Sequence, residues 1–167
     1  MRHLIKFFVI LSLPLISNLA FPMQKHNLNI SAVCRDNPSC TYTGEAITID
    51  ITITNSGSNS IGFPLAYILR RGPVIGLSDE LSDTTRSQRI NLAPYGLNKK
   101  FTEIKPGQSV TFDAIISNSE IMEFWHEKID ILAKIRAGVK ISIPGDPEPY
   151  LYDDSTFLHI QSRTTNE

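Results

Sequence analysis

Ile47-Thr48-Ile49-Asp50-Ile51-Thr52-Ile53-Thr54 sets four isoleucines in strict alternation with polar residues. Successive side chains of a strand point to opposite faces, so this stretch reads as a β-strand with one face in a core and the other in water. The isoleucines and threonines are β-branched and suit a pleated surface. Asn55 to Ser60 follows, a run of Asn, Ser and Gly residues that tolerate turn geometry and bond their own backbone. Ile61, Phe63, Leu65 and Tyr67 resume the alternation, so residues 45–69 are expected to form two antiparallel strands and a loop. Pro64, which cannot donate to a ladder, puts the second of these at an edge or a bulge.

Similar runs recur at 28–33, at Ser109 to Ile116, within Lys128 to Ile143 as one long strand or two consecutive ones, and at Ser155 to Ser162. Lys105-Pro106-Gly107-Gln108 has proline and glycine in the two central places of a type II turn. Gly145, Pro147 and Pro149 break the chain between the last strands. Only Asn118 to Glu127 argues for a helix, capped by Asn118 or Ser119 and with Ile121, Phe124 and Trp125 on its apolar face. Residues 70–104 have weak periodicity and read as a long excursion with a short strand at 87–92. The fold class expected from these runs is all-β: an antiparallel β-sandwich with one short helix and one long loop excursion.

The N-terminus has a different character. Arg2 and Lys6 precede an apolar run from Phe7 to Ile16 and then Ser17-Asn18-Leu19-Ala20, the order of a secretory signal peptide. Residues 1–20 are expected to be that signal. The apolar run, about ten residues, is half of the roughly 20 that span a bilayer, and no later segment is longer. Residues 21–167 then form a single domain with its core at about 28–162, without a transmembrane segment and located in the periplasm or secreted. Of 16 Lys and Arg and 17 Asp and Glu, Arg2 and Lys6 leave with the signal, so the mature chain carries a net charge of −3. No basic surplus or cluster marks a nucleic-acid partner.

The two cysteines lie in Cys34-Arg35-Asp36-Asn37-Pro38-Ser39-Cys40. Five intervening residues differ from the two of a redox-active pair. No second Cys/His cluster supplies the further ligands zinc requires. In an exported chain an even cysteine count favours a disulfide, here clipping a tight loop.

Catalytic patterns are missing. His26, His126 and His159 are spread along the chain, no serine sits in a G-x-S-x-G elbow, and no phosphate-cradling glycine loop occurs. Asp146, Glu148, Asp153 and Asp154 lack the spacing of a calcium loop. No catalytic residue, metal or cofactor is expected, and the chain reads as not an enzyme.

GEAITIDITITNSGSNSIGF (44–63), followed by IKPGQSVTFDAIIS (104–117), resembles bacterial Ig-like sandwich modules. It is most similar to the non-catalytic N-terminal module of secreted lysine-specific metallopeptidases, and more distantly to proteinase-inhibitor sandwiches. The likeness covers roughly residues 28–143 and carries over no functional residue. A small exported sandwich without a catalytic set most often works by surface recognition, so the leading expectation is an exported protein-binding module whose partner is another protein, with a peptidase as one candidate and protease inhibition or protease association as one role. Rival readings are an envelope structural or adhesin-type subunit and a hydrolase assembled from distant residues. The candidate binding loops hold Arg70, Arg71, Asp79, Glu80, Arg86, Tyr95, Lys99 and Lys100, beside the stapled loop.

Overall fold

The computed structural model of the chain describes residues 27–79, 82, 84–124 and 128–162. The expected signal peptide, Glu80, Trp125 and His126 therefore lie outside the described residues.

The ITIDITIT run is the centre of a three-stranded antiparallel sheet. Strand β3 (Ile47–Asn55) lies between β1 (Leu28–Cys34) and β8 (Ser109–Ile116), with Ile51 level with Ala32 on one side and Phe112 on the other. Ile49, Ile51 and Ile53 are fully buried, and the intervening Thr52 and Thr54 bond Thr111 and Ser109 on the other face. A second sheet has the order β2-β10-β9-β5-β6, from Thr41–Tyr42, Tyr150–Ser162, Asp130–Ile141, Val74–Asp79 and Thr84–Ser87. Strand β9 alternates as cleanly as β3, burying Ile131, Ala133, Ile135, Ala137, Val139 and Ile141. These residues share one buried cluster with the isoleucines of β3. At roughly 1.5–3 kcal/mol for each large aliphatic side chain withdrawn from water, this cluster is the main stabiliser of the fold.

The fold is mostly β, as expected, but the expectation for 61–69 needs correction. β3 and β4 (Ile61–Phe63) do not pair; β4 is bound to β7 (Thr102–Ile104) and bridges Ser142 at the end of β9. Gly62 makes that bridge possible, because a Cβ there would lie 2.9 Å from the Cβ of Phe101 and 3.2 Å from that of Ser142. Leu65 and Tyr67 belong to a helix, α1 (Leu65–Arg71). Pro64 has no N–H to lose at a helix start, and its carbonyl accepts from the Tyr67 and Ile68 amides.

Residues 70–104 are not a loop excursion. They contain β5, β6, a 3-10 turn (Tyr95–Lys99) and β7, and β5 is an interior strand with Ile75 and Leu77 buried against β9. The strand expected at 87–92 is instead β6, ending at Ser87. Among the described residues there are thus two α-helices rather than one. The second, α2 (Asn118–Met122), is capped by Ser117 rather than by Asn118 or Ser119, and Glu120 completes a capping box. The 128–143 region is one strand, and the last strand starts at Tyr150, five residues earlier than expected. The Lys105–Gln108 turn forms as read: Gly107 has φ +75° and the Gln108 amide bonds the Lys105 carbonyl.

The Cys34–Cys40 disulfide is formed, with Cα atoms 5.4 Å apart. It closes the segment in which the chain leaves β1 in one sheet and enters β2 in the other. Asn37 organises the loop, accepting from the Ser39 amide and hydroxyl and donating to the Thr41 carbonyl. Arg35 forks onto Asp50 at 2.6 Å, and this hydrogen bond holds the Asp50 carboxyl below its usual range. Replacing both cysteines with serine is expected to cost about 2 kcal/mol, the chain-entropy value for so short a loop. Thermal or urea unfolding would measure it, and an unchanged midpoint would remove the staple's structural role.

Candidate functional site: a cleft between two strand edges

Strands β6 and β8 are the outermost strands of their two sheets on one side of the molecule. Between them, lined also by the end of α1 and by Glu120 and Glu123 of α2 and its C-cap, lies an open cleft of about 730 Å³. Its charged lining is mixed: Arg71, Arg86 and Arg89 share it with Asp113, Glu120 and Glu123.

Local folding explains why these groups converge. Gln88 follows directly on β6, its amide N–H held by the Ile75 carbonyl at 2.8 Å. Its side chain then crosses the cleft, donating to the Ile115 carbonyl of β8 and to Glu120 Oε2, each at 2.9 Å. Glu120 Oε2 also accepts from the Ser117 amide and hydroxyl. Burial acts to raise the Glu120 pKa, but these donors outweigh it and hold the carboxyl below its ordinary value. A second bridge runs from Arg86 Nε to Glu123 at 3.4 Å. The Asn91 amide bonds the Arg71 carbonyl at 2.9 Å, tying the rim to α1. Exposed Leu69 and Ile115 supply apolar surface beside these charges. Such a cleft can take an extended segment of polypeptide, offering charges of both signs, apolar contacts and main-chain groups at the strand edges.

Of the candidate binding residues, Arg71 and Arg86 line the cleft, whereas Arg70 sits on the last turn of α1 outside it. Asp79 is not a surface contact: it is 3% exposed and accepts from the Ser82 hydroxyl. Tyr95 and Lys99 pair with each other across the 3-10 turn at 5.3 Å, and neither they nor Lys100 line the cleft. Reading the sequence did not select Gln88, Arg89, Asp113, Glu120 or Glu123. The S-N-S-E box at 117–120 is the signal that could have placed Glu120, since it marks a helix start.

Asp153 and Asp154 of the C-terminal hairpin are engaged in local interactions. Asp153 takes both arms of Arg136 at 2.5 Å, which lowers its pKa, and Asp154 accepts from the Ser155 amide. His159 Nε2 lies 2.5 Å from Asp130. Among the described residues, no group of three or more His, Cys, Asp or Glu could hold a metal ion. Among the same residues no helix is long and apolar enough to cross a membrane.

No protein-family model matches the chain, and no curated protein matches it significantly. Several solved structures are similar in shape. A Bordetella pertussis protein crystallised as ApaA shares 12% identity over 83% of this chain and 98% of its own, with a TM-score of 0.40. A structural-genomics target of unstated function shares 9% over 82% of this chain and 88% of its own, at 0.39. A β-glucosidase from Listeria innocua, solved with glucose, shares 13% over 81% of this chain but only 16% of its own, at 0.33.

Proposed function

We propose that the chain is an exported, non-catalytic protein-binding module of Ig-like sandwich type, which holds its partner in the cleft between β6 and β8. The observation that carries this reading is the cleft itself: three arginines and three carboxylates gathered between two strand edges. Its mixed charge suits a polypeptide, which brings charges of both signs, better than a polyanion, which would demand a uniformly basic surface. The Ig-like part is supported by sheet order. Strands β1-β3-β8 and β10-β9-β5-β6 follow the A-B-E and G-F-C-C′ arrangement, and β2 runs parallel to the last strand at Gln161 and Ser162. Export is supported by the disulfide, which persists in oxidising compartments. A secreted peptidase is the first partner class to test, on the resemblance of residues 44–63 and 104–117 to peptidase-associated modules.

Affinity capture from the envelope and secreted fractions is the test, using the protein and an Arg71→Glu/Arg89→Glu variant. A stoichiometric partner is expected with the first and at least about tenfold less of it with the second. If that partner is a peptidase, its activity is assayed with and without the protein. Recovery of no partner, or equal recovery by the variant, would reject the cleft as its seat.

A further inference from the structure

Strand β10 is paired with β9 without interruption from Tyr150 to Gln161, but with β2 only at Gln161 and Ser162. Among the described residues, Tyr150 to Ile160 has no strand on its other side. Hydrogen bonds at the paired end give the direction of each main-chain group. The Ser162 amide turns to Ile129 beside β9, and the Gln161 amide turns to Cys40 beside β2. Because the register has no bulge, alternation sends the N–H and C=O groups of Leu151, Asp153, Ser155, Phe157 and His159 into the open edge. Leu151 is 72% exposed and Phe157 52% exposed, both on the face away from the core. A long edge with apolar side chains is a template for another strand.

We propose that this edge is a self-docking surface, on which a second copy of the chain lays its own β10 antiparallel, with the two strands crossing at Ser155. The argument for this occupant is self-complementary charge. Pairing centred on Asp153 or Asp154 would set a carboxylate against its own twin, an unfavourable contact. Centring on Thr156 would set Asp154 against the apolar Leu158. Crossing at Ser155 instead brings Asp154 to Thr156, Tyr152 to Leu158 and Asp153 to Phe157. The Lys134 ammonium lies over the Phe157 ring, 5.6 Å from its centre, and acts on Asp153 of its own copy beside Arg136, so each Asp153, held by its own Arg136, comes to face the Lys134 of the other copy as well. Two-fold symmetry makes this contact twice, as an isologous interface requires. Nine residues from each copy, about 30 Å of strand, would join two five-stranded sheets into one.

Asp154 acts as the latch on this edge. Its Oδ1 accepts the Ser155 N–H at 2.7 Å, satisfying the central donor while the edge is open. Docking exchanges that local bond for one across the two-fold axis, and the carboxylate moves aside to Thr156 of the other copy. An edge guarded by an acid in this way resists indiscriminate pairing, yet yields to a partner strand that replaces the lost bond.

Sedimentation equilibrium of the purified protein up to about 200 µM tests the proposal. A dimer is expected, weakened by salt. Ser155→Pro, which deletes the central donor, and Lys134→Glu, which reverses the cross-copy charge, are each expected to raise the dissociation constant at least about tenfold. Lys134 is exposed on the sheet, so its variant keeps the test valid should proline perturb β10; circular dichroism checks both folds. A protein monomeric throughout that range, or a dimer indifferent to Lys134→Glu, would overturn the proposal. So would hydrogen-exchange protection of residues 151–159 by a different protein in the absence of any dimer. Neither variant touches the cleft, so failure of self-docking and failure of partner capture are separately visible.

Discussion

Asn55→Ala is expected to destabilise the fold by about 3–5 kcal/mol, although it removes only a small polar side chain at the end of a strand. The amide is fully buried, and its three side-chain hydrogen bonds all go to backbone. Its Nδ2 donates to the carbonyls of Asn59 and Ile104, each at 2.8 Å, and its Oδ1 accepts from the Gly57 amide at 3.0 Å. Its own main chain bonds Gln108 and Gly107. One residue therefore joins the end of β3 to the 55–60 turn, to β7 and to the Lys105–Gln108 turn. Alanine leaves the buried Ile104 carbonyl and the part-buried Asn59 carbonyl and Gly57 N–H without this partner, at roughly 1–3 kcal/mol for the first and less for each of the other two. Asn55→Asp is expected to be no better, since a carboxylate cannot donate to either carbonyl and introduces a buried charge. Urea unfolding measures both variants; a loss below about 1 kcal/mol for alanine would show that water replaces the amide readily.

Ile51→Ala, at the middle of the decisive alternation, is expected to cost about 4 kcal/mol. The range for such truncations is roughly 2–5 kcal/mol, depending on how far the surroundings collapse into the cavity. Ile51 belongs to the upper half because it is fully buried on the central strand of its sheet, and a central strand cannot shift without moving β1 and β8. Thr52→Ala, one residue on but facing water, loses only the hydroxyl contact to Thr111 and is expected to cost at most about 1 kcal/mol. Equal effects of the two changes would mean that the face assignment is wrong.

Those two neighbours show what was legible in the sequence. Period-two alternation identified β3, β8 and much of β9, and for β3 also the side each residue faces, because burial on one face of a sheet imposes that period directly. The Cys34–Cys40 pairing and the Lys105–Gln108 turn were legible too, since short-range geometry decides both. Strand β5 was not. Val74 to Asp79 buries Ile75, Leu77 and Asp79, so only two apolar residues, with Gly76 between them, mark the inward face, and so short an apolar pattern does not stand out from a loop. Helix α1 was misread because Leu65 and Tyr67 continue the alternation of Ile61 and Phe63; over so few residues the two periods coincide, and Pro64 decides between them. The cleft lay beyond reach for another reason. Its residues come from α1, the 86–89 segment, β8 and α2, which meet only because β6 and β8 end their sheets on the same side. Strand order is a long-range property, and no local pattern encodes it.

The passage of the chain from β1 to β2 has a mechanical consequence. Residues Thr41 and Tyr42 run parallel to Gln161 and Ser162. Traction applied to the chain before β1 and after β10 therefore draws these two short strands lengthwise past each other, so their hydrogen bonds bear the load together rather than opening one by one. Behind them, the disulfide withholds the slack of residues 34–40 from extension. Fully drawn out, six residue steps span about 20 Å, against the 5.4 Å between the bridged Cα atoms. A reduced molecule held in a force instrument would thus lengthen by about 15 Å more than the oxidised one.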